Sequence, residues 1–328
     1  MSARMSWAAA FATLAAVACA HANDSTAKLD AGGLALTYNP AIRMEEEDLY
    51  LSEREVRVRY RFLNTSNADI ETLVAFPLPE IETGEGGNYA IESSDPINFI
   101  GFRVTVDGRP LTPSVQAKAT SLGVDITSLL EKYGLPITTI VGTDRERAAL
   151  NDKLTGLPEH ALRELEKYGA IDRLSSSRAG VADVNPRWSA HIAFYWFQTF
   201  PSRRPIEVTH RYKPVPRNFF TGLEELGGAR MRKDYCVDEP FLAAARKRAD
   251  SATLTGLELR YILSTARNWA GPIGSFRLTL DKGSPARVAS TCFSGLKQSG
   301  PTTFVAEKKD FMADEDLGVL LLWRTPNE

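Results

Sequence analysis

Histidine and cysteine are scarce in this chain, with four and three among 328 residues. Chemistry that announces itself through those residues is correspondingly absent. There is no His-Glu-x-x-His motif and no spaced Cys/His cluster, so no metal centre is expected. There is no Gly-x-Ser-x-Gly elbow for a serine nucleophile. The glycine-rich strings GGLALT and GEGGNY lack the Lys-Ser/Thr that completes a phosphate loop. No block of lysine and arginine departs from a net charge of −2, so nucleic acid is not an expected partner. After the first two dozen residues no apolar run is long enough to cross a bilayer as a helix. The sequence therefore names no catalytic residue, no cofactor and no metal ligand. Paired acids for glycoside chemistry stay open, because such carboxylates need not be close in sequence.

What is present begins with an export signal. Arg4 supplies a positive start, residues 7–18 (WAAAFATLAAVA) form a short apolar core, and Ala20-His21-Ala22 is a small-residue cleavage site. Residues 1–22 are read as a signal peptide, with cleavage between Ala22 and Asn23. Cys19, in AAVAC, raises the rival reading of a lipoprotein. The leucine that usually stands three residues before a lipidated cysteine is replaced by Ala16, so cleavage is preferred. Loss of the leader leaves Cys236 and Cys292, an even pair that in an exported protein implies a disulfide. Redox pairs sit two residues apart and metal sites need nearby histidines, so a structural staple is preferred. Closing a loop of that length stabilises a fold by about 4 kcal/mol in the chain-entropy account. The Asp234, Asp238 and Glu239 carboxylates around Cys236 are read as a polar loop entering a helix.

Period-two alternation dominates the rest. In EVRVRYRF, Val56, Val58, Tyr60 and Phe62 face one way and Glu55, Arg57, Arg59 and Arg61 the other, as in a strand with one wet face. A turn cluster NTSNAD precedes a strand carrying Ile70, Thr72, Val74 and Phe76, which Pro77 and Pro79 stop. NFIGFRVTV ends in Asp107-Gly108, a hairpin signal. The acidic run EEED, residues 45–48, reads as a solvated loop. In HIAFYWFQTFP, Trp188, Ala190, Ile192, Phe194, Trp196 and Phe200 share a core face, while Tyr195 and Phe197 lie on the opposite one. Tyr195 and Phe197 are the candidate partner surface. The preferred reading is that a helical segment just before this strand covers them. His210 follows on an apolar strand face and reads as a hydrogen-bonded core residue.

That helical segment is an insertion at about residues 117–182. Asp125 is placed as an N-cap and Gly134 as a stop, Pro158 in a first turn and Gly169 as the next stop, with another short helix over residues 144–154. His160 there is expected to be exposed. After Pro216 a glycine-rich loop is expected, then a helix at about residues 239–250 capped by Asp238. Five strand candidates follow, over residues 257–263, 276–280, 287–292, 303–306 and 317–323. The expected fold is mainly β: two antiparallel β-sandwiches, residues 23–216 with the helical insertion and residues 217–328 with one helix.

At VRVRYRFLNTSNADIETLVAFPLPEI and NWAGPIGSFRLTLDKGSP, and again at NDSTAKLDAGGLALT and DYCVD, the chain resembles the bacterial domain-of-unknown-function family 4424. The resemblance implies an exported Gram-negative protein with an immunoglobulin-like β fold, and it carries no catalytic residues. The order FPLPE, FRVTVDGRPL and PIEVTHRYKPV also looks like the vault/inter-alpha-trypsin domain, a β-sandwich module. This chain departs from it by inserting helices and by lacking a von Willebrand-type neighbour. Fold does not fix function.

The functional expectation is a periplasmic, non-catalytic binding or assembly module, acting on a periplasmic protein or ligand that the sequence does not identify. The alternative is a hydrolase of an envelope polymer. N-terminal sequencing of the exported protein is expected to begin at Asn23; a lipid-modified Cys19 is the contrary result.

Overall fold

The computed structural model describes residues 23–325, except 31–32, 83–90, 92, 94, 96, 140, 142–143, 175–182 and 250–253. The expected leader, residues 1–22, lies outside the described residues. The chain is mainly β. Its largest element is an eight-stranded sheet, here the long sheet, in the order Lys297–Gln298, Thr303–Phe311, Ile273–Asp281, Ile42–Ser52, Val56–Asn64, Pro205–Tyr212, Arg103–Val106 and Arg109–Leu111. The last two strands meet at Asp107 and Gly108, both at positive φ, as the Asp-Gly signal implies.

Strands from both halves of the chain share this sheet. Ile273–Asp281 lies parallel to Ile42–Ser52, from Ser275 opposite Glu46 to Asp281 opposite Ser52. This corrects the expectation of two separate antiparallel sandwiches. Alternation reports that a strand has one buried face; it carries no information about which distant strand completes its edge.

Two smaller sheets cover the inner face of the long sheet. The N-terminal sheet runs Val124–Asp125, Ser114–Ser121, Ser189–Phe200, Ile70–Pro77, Ser25–Asp30 and Gly33–Thr37, with Ile81–Glu82 also paired to Ser189–Phe200. The C-terminal sheet runs Arg217–Thr221, Leu254–Tyr261, Leu317–Arg324 and Val288–Ser290. One core joins all three. It holds Val58, Tyr60 and Phe62 of the long sheet, Phe76, Phe194 and Trp196 of the N-terminal sheet, and Leu259, Tyr261 and Val319 of the C-terminal sheet. The alternation in Val56–Asn64 is as expected, with Val56, Val58, Tyr60 and Phe62 buried.

Satellite cores flank this one among the described residues, two of them built on helices. The insertion packs helices Thr127–Lys132, Asp144–Thr155 and Glu159–Lys167 around Trp188, whose indole N–H donates to Ile137 O at 2.9 Å. Gly134 and Gly169 stop their helices at positive φ, and His160 is exposed. The N-cap of the first helix is Ile126; Asp125 instead accepts from the Thr127 N–H and hydroxyl, an Asx-type turn one residue earlier. The expected glycine-rich loop after Pro216 contains helices Leu223–Leu226 and Ala229–Tyr235. With Glu239–Ala249 they bury Leu226, Met231, Tyr235 and Leu242 against Leu320 and Leu322 of the C-terminal sheet. Asp238 caps the last helix through the Phe241 N–H, 2.8 Å. Cys236 and Cys292 are disulfide-bonded, which ties the end of Ala229–Tyr235 to the chain leaving Val288–Ser290.

The acidic run is not a solvated loop. Residues 45–48 lie inside the strand Ile42–Ser52, where the register against Val56–Asn64 slips between Met44 and Glu46. Such a bulge inserts one residue and reverses the facing of everything after it. Ile42 and Met44 point inward before the slip; Glu47, Leu49 and Leu51 point inward after it, all at most 1 % exposed. A glycine makes the bulge fit. A Cβ at Gly274 on the neighbouring parallel strand would stand 2.8 Å from the Glu45 carbonyl oxygen. Gly274→Ala is therefore expected to cost about 1–3 kcal/mol, the usual penalty for overpacking, measured by urea unfolding. Unchanged stability would show that the bulge tolerates displacement.

Candidate functional site

Glu47, turned inward by the bulge, meets the start of the first described strand. Asn23 and Asp24 precede Ser25–Asp30 and are fully buried. A 3-10 turn, Ser264–Asn268, holds them in place. The Thr265 hydroxyl donates to Asn23 O at 3.0 Å, the Trp269 indole N–H to Asp24 O at 2.6 Å, and the Asn268 amide to Ser25 Oγ at 2.7 Å. The Asn23 side-chain amide donates to Glu47 Oε2 at 3.1 Å, and Tyr261 OH donates to Glu47 Oε1 at 3.3 Å. Tyr261 in turn shares a 2.8 Å hydrogen bond with Tyr60. The cluster thus draws on all three sheets where they meet.

Asp24 is the exception in this network. Among the described residues neither of its carboxyl oxygens has a hydrogen-bond partner, and neither ring nitrogen of His210 has one. His210 Nε2 stands 3.5 Å from Asp24 Oδ1. Tyr60, Phe76, Phe102 and Trp196 box the imidazole in. This corrects the expectation of a hydrogen-bonded core histidine: the strand pattern shows that His210 points inward, but not what waits there.

Burial shifts every one of these groups towards its neutral form. It pushes the Glu47 carboxyl up to about 8, against the opposing pull of the Asn23 and Tyr261 hydrogen bonds. Asp24 rises well above the ordinary carboxylate range through burial and then through repulsion from Glu47. The His210 imidazole is pushed down to about 3 by burial. Tyr60 and Tyr261 also rise, chiefly by burial. Asp24, Glu47 and His210 are at most 2 % exposed, so the cluster can hold protons but cannot touch a substrate.

The outward face of the long sheet is open and ionic. A shallow groove of about 550 Å³ there is lined by Arg57, Arg59, Arg211, Arg277, Asp48 and Tyr50. Its arginines already have acid partners. Arg59 reaches Glu46 at 3.4 Å and Glu207 at 3.5 Å, Arg57 reaches Glu55 at 3.0 Å, Arg277 reaches Glu307 at 3.0 Å, and Arg211 also pairs with Glu55. Exposed pairs of this kind contribute about 0–1 kcal/mol each, and they leave little free charge for an anionic ligand.

The candidate partner residues lie elsewhere, on the outer face of the N-terminal sheet. Tyr195 is half-buried and Phe197 is 67 % exposed. The helical insertion does not cover them, contrary to expectation; its core gathers around Trp188, before the strand begins. Cover comes instead from the hairpin Ser25–Asp30/Gly33–Thr37, whose Leu34 and Leu36 pack with Tyr195 around Ala27, Leu73 and Ala75. The Leu34 N–H donates to Gln116 Oε1 at 3.1 Å, so the hairpin folds across the sheet face. Phe197 stays outside this cover. Ala22 lies outside the described residues, and the residues singled out in the sequence fall in three separate places: Asn23 in the sealed cluster, Tyr195 and Phe197 on an outer face, and Cys236 and Cys292 beside the C-terminal sheet.

Sequence reasoning missed Asp24 and Glu47. The signal for Glu47 was a lone acid run in a β-rich segment, and the bulge that turns it inward has no one-dimensional signature.

The chain matches the family described as Domain of unknown function (DUF4424) over residues 22–320, and it belongs to that family. No match was found among curated proteins. Among solved structures, the chain is similar to a Legionella pneumophila protein provisionally described as a nutrient binding protein. The identity is 15 % and the TM-score 0.47, with 93 % of this chain and 70 % of that one covered.

The depressed His210 makes a definite pH prediction. Its contribution is fully present above the unfolded value of 6.5 and is lost as pH falls towards about 3, because the unfolded chain takes up a proton that the folded chain refuses. Urea unfolding is expected to show wild type losing roughly 3 kcal/mol relative to His210→Phe between pH 7 and pH 4. Parallel pH profiles would show that His210 is protonated in the folded state.

Proposed function

We propose that this chain is a non-catalytic binding or assembly module of the bacterial cell envelope, exported to the periplasm through a cleaved signal peptide. Its partner surface is the outer face of the N-terminal sheet around Phe197. The observation that carries this reading is the 67 % exposure of Phe197, a large aromatic on a long strand paired on both sides. Exposed aromatics beside an apolar floor are what protein interfaces use as anchors. Here Leu73, directly opposite Phe197 in the register, and Ala27 beyond it are already buried where the hairpin packs, with Leu36 partly exposed at their edge. The Cys236–Cys292 bond suits an oxidising compartment. The hydrolase alternative draws no support from Asp24 and Glu47, which are at most 1 % exposed.

Phe197→Ser is expected to leave the melting temperature almost unchanged, since exposed substitutions usually stay within about 0.5 kcal/mol. The same change is expected to abolish capture of the partner when the tagged protein is used as bait in a periplasmic extract. Equal capture by wild type and variant would remove this face from the function.

A further inference from the structure

Asp24 and Glu47 raise a problem of charge that the described residues do not solve. Both side chains are buried where the three sheets meet, and among the described residues no lysine or arginine pairs with either. Glu47 has two neutral donors, Asn23 and Tyr261. Asp24 has none; His210, 3.5 Å away, is the one ionisable base beside it. The remaining titratable groups facing the cluster are the tyrosines Tyr60, Tyr212 and Tyr261, which bring no positive charge. Unpaired buried acids are costly, and a buried carboxyl without a hydrogen-bond partner calls for a donor.

Among the described residues, Asn23 offers a group placed to serve. Asn23 is wholly buried, its carbonyl is held by Thr265, and its side-chain amide already touches Glu47. Its own backbone nitrogen thus belongs to a residue that touches Glu47 and directly precedes Asp24 in the chain. In an uncut chain that nitrogen is a neutral amide bearing one hydrogen. As a chain terminus it is an ammonium with three.

We propose that hydrolysis of the Ala22–Asn23 bond creates an internal ammonium ion that seats between Asp24 and Glu47 and locks the three sheets together. The proposal rests on the cleavage site read above and goes beyond it by giving the new terminus a structural role. In the step, water adds to the Ala22 carbonyl carbon and the C–N bond to Asn23 breaks. Ala22 departs as a carboxylate and Asn23 keeps the amine with the added proton; the catalyst is the peptidase that removes export leaders. The ammonium balances one acid, and the second keeps a proton or shares it. Because residue 23 is sealed in the finished fold, cleavage must precede its docking. The strand Ser25–Asp30 is then held at the junction more firmly in processed protein.

The test compares two chains, each released from a fusion partner by a protease. One begins at Asn23, and the other carries Gly-Ser ahead of Asn23. The extended chain is expected to melt lower by at least about 5 °C, the loss expected for a broken buried ion pair in a chain of this size. In an Asp24→Asn, Glu47→Gln background the difference is expected to disappear. Equal melting of the two chains overturns the proposal, as does a difference that persists undiminished in the double variant. Reductive methylation gives a measurement that does not depend on the variants folding. In the folded chain beginning at Asn23 the α-amine is expected to resist reagent that modifies the surface lysines; modification at the lysine rate overturns the proposal. The mass of the N-terminal peptide from exported protein separates this idea from the export reading. A native start other than Asn23 overturns both together, whereas a native start at Asn23 with equal melting overturns the ion pair alone.

Discussion

Asp24 and Glu47 lose their water at the point where three sheets meet, and the surrounding groups are arranged around that loss. The 3-10 turn that grips Asn23 and Asp24 through Thr265 and Trp269 belongs to the C-terminal half of the sequence. Glu47 belongs to the long sheet, and Tyr261, which binds it, to the C-terminal sheet. Residues more than two hundred positions apart are thereby held to one another by polar contacts inside an otherwise apolar core. Such contacts are demanding, because a buried polar group left without a partner costs more than a satisfied one contributes. The arrangement penalises wrong pairings of the sheets more than it rewards the right one.

The same junction explains why the fold is continuous across its two halves. Ile273–Asp281 runs parallel to Ile42–Ser52, and Gly274 lets the bulge at Glu45 sit against it. Bulge, glycine and buried acid form one device. Without the slip in register, Glu47, Leu49 and Leu51 would be turned out to solvent, and Glu46 and Asp48 would be turned into the core. The acidic run is thus an interior feature with a wet margin.

Two faces of the protein contrast with this interior. On the outside of the long sheet, arginines and acids neutralise one another along the strands. On the outside of the N-terminal sheet, the hairpin shields Tyr195 and stops short of Phe197. Sequence places these two rings on one face of one strand, yet their exposure differs because a hairpin from the start of the chain folds over one and not the other.

Membership of the DUF4424 family and the mainly β character were legible in the sequence. So were the inward faces of Val56–Asn64 and Ser189–Phe200, the three insertion helices, and the Asp238 cap, because local alternation, capping residues and turn glycines encode them within a few positions. The sequence by itself also singled out Cys236 and Cys292 as the expected disulfide pair. Only the tertiary structure decided which strands share an edge, that Glu47 turns inward, that His210 finds no hydrogen bond, and that a hairpin rather than the insertion covers Tyr195. Each of those outcomes depends on what a distant segment brings to the spot, and periodicity along one segment carries no record of it.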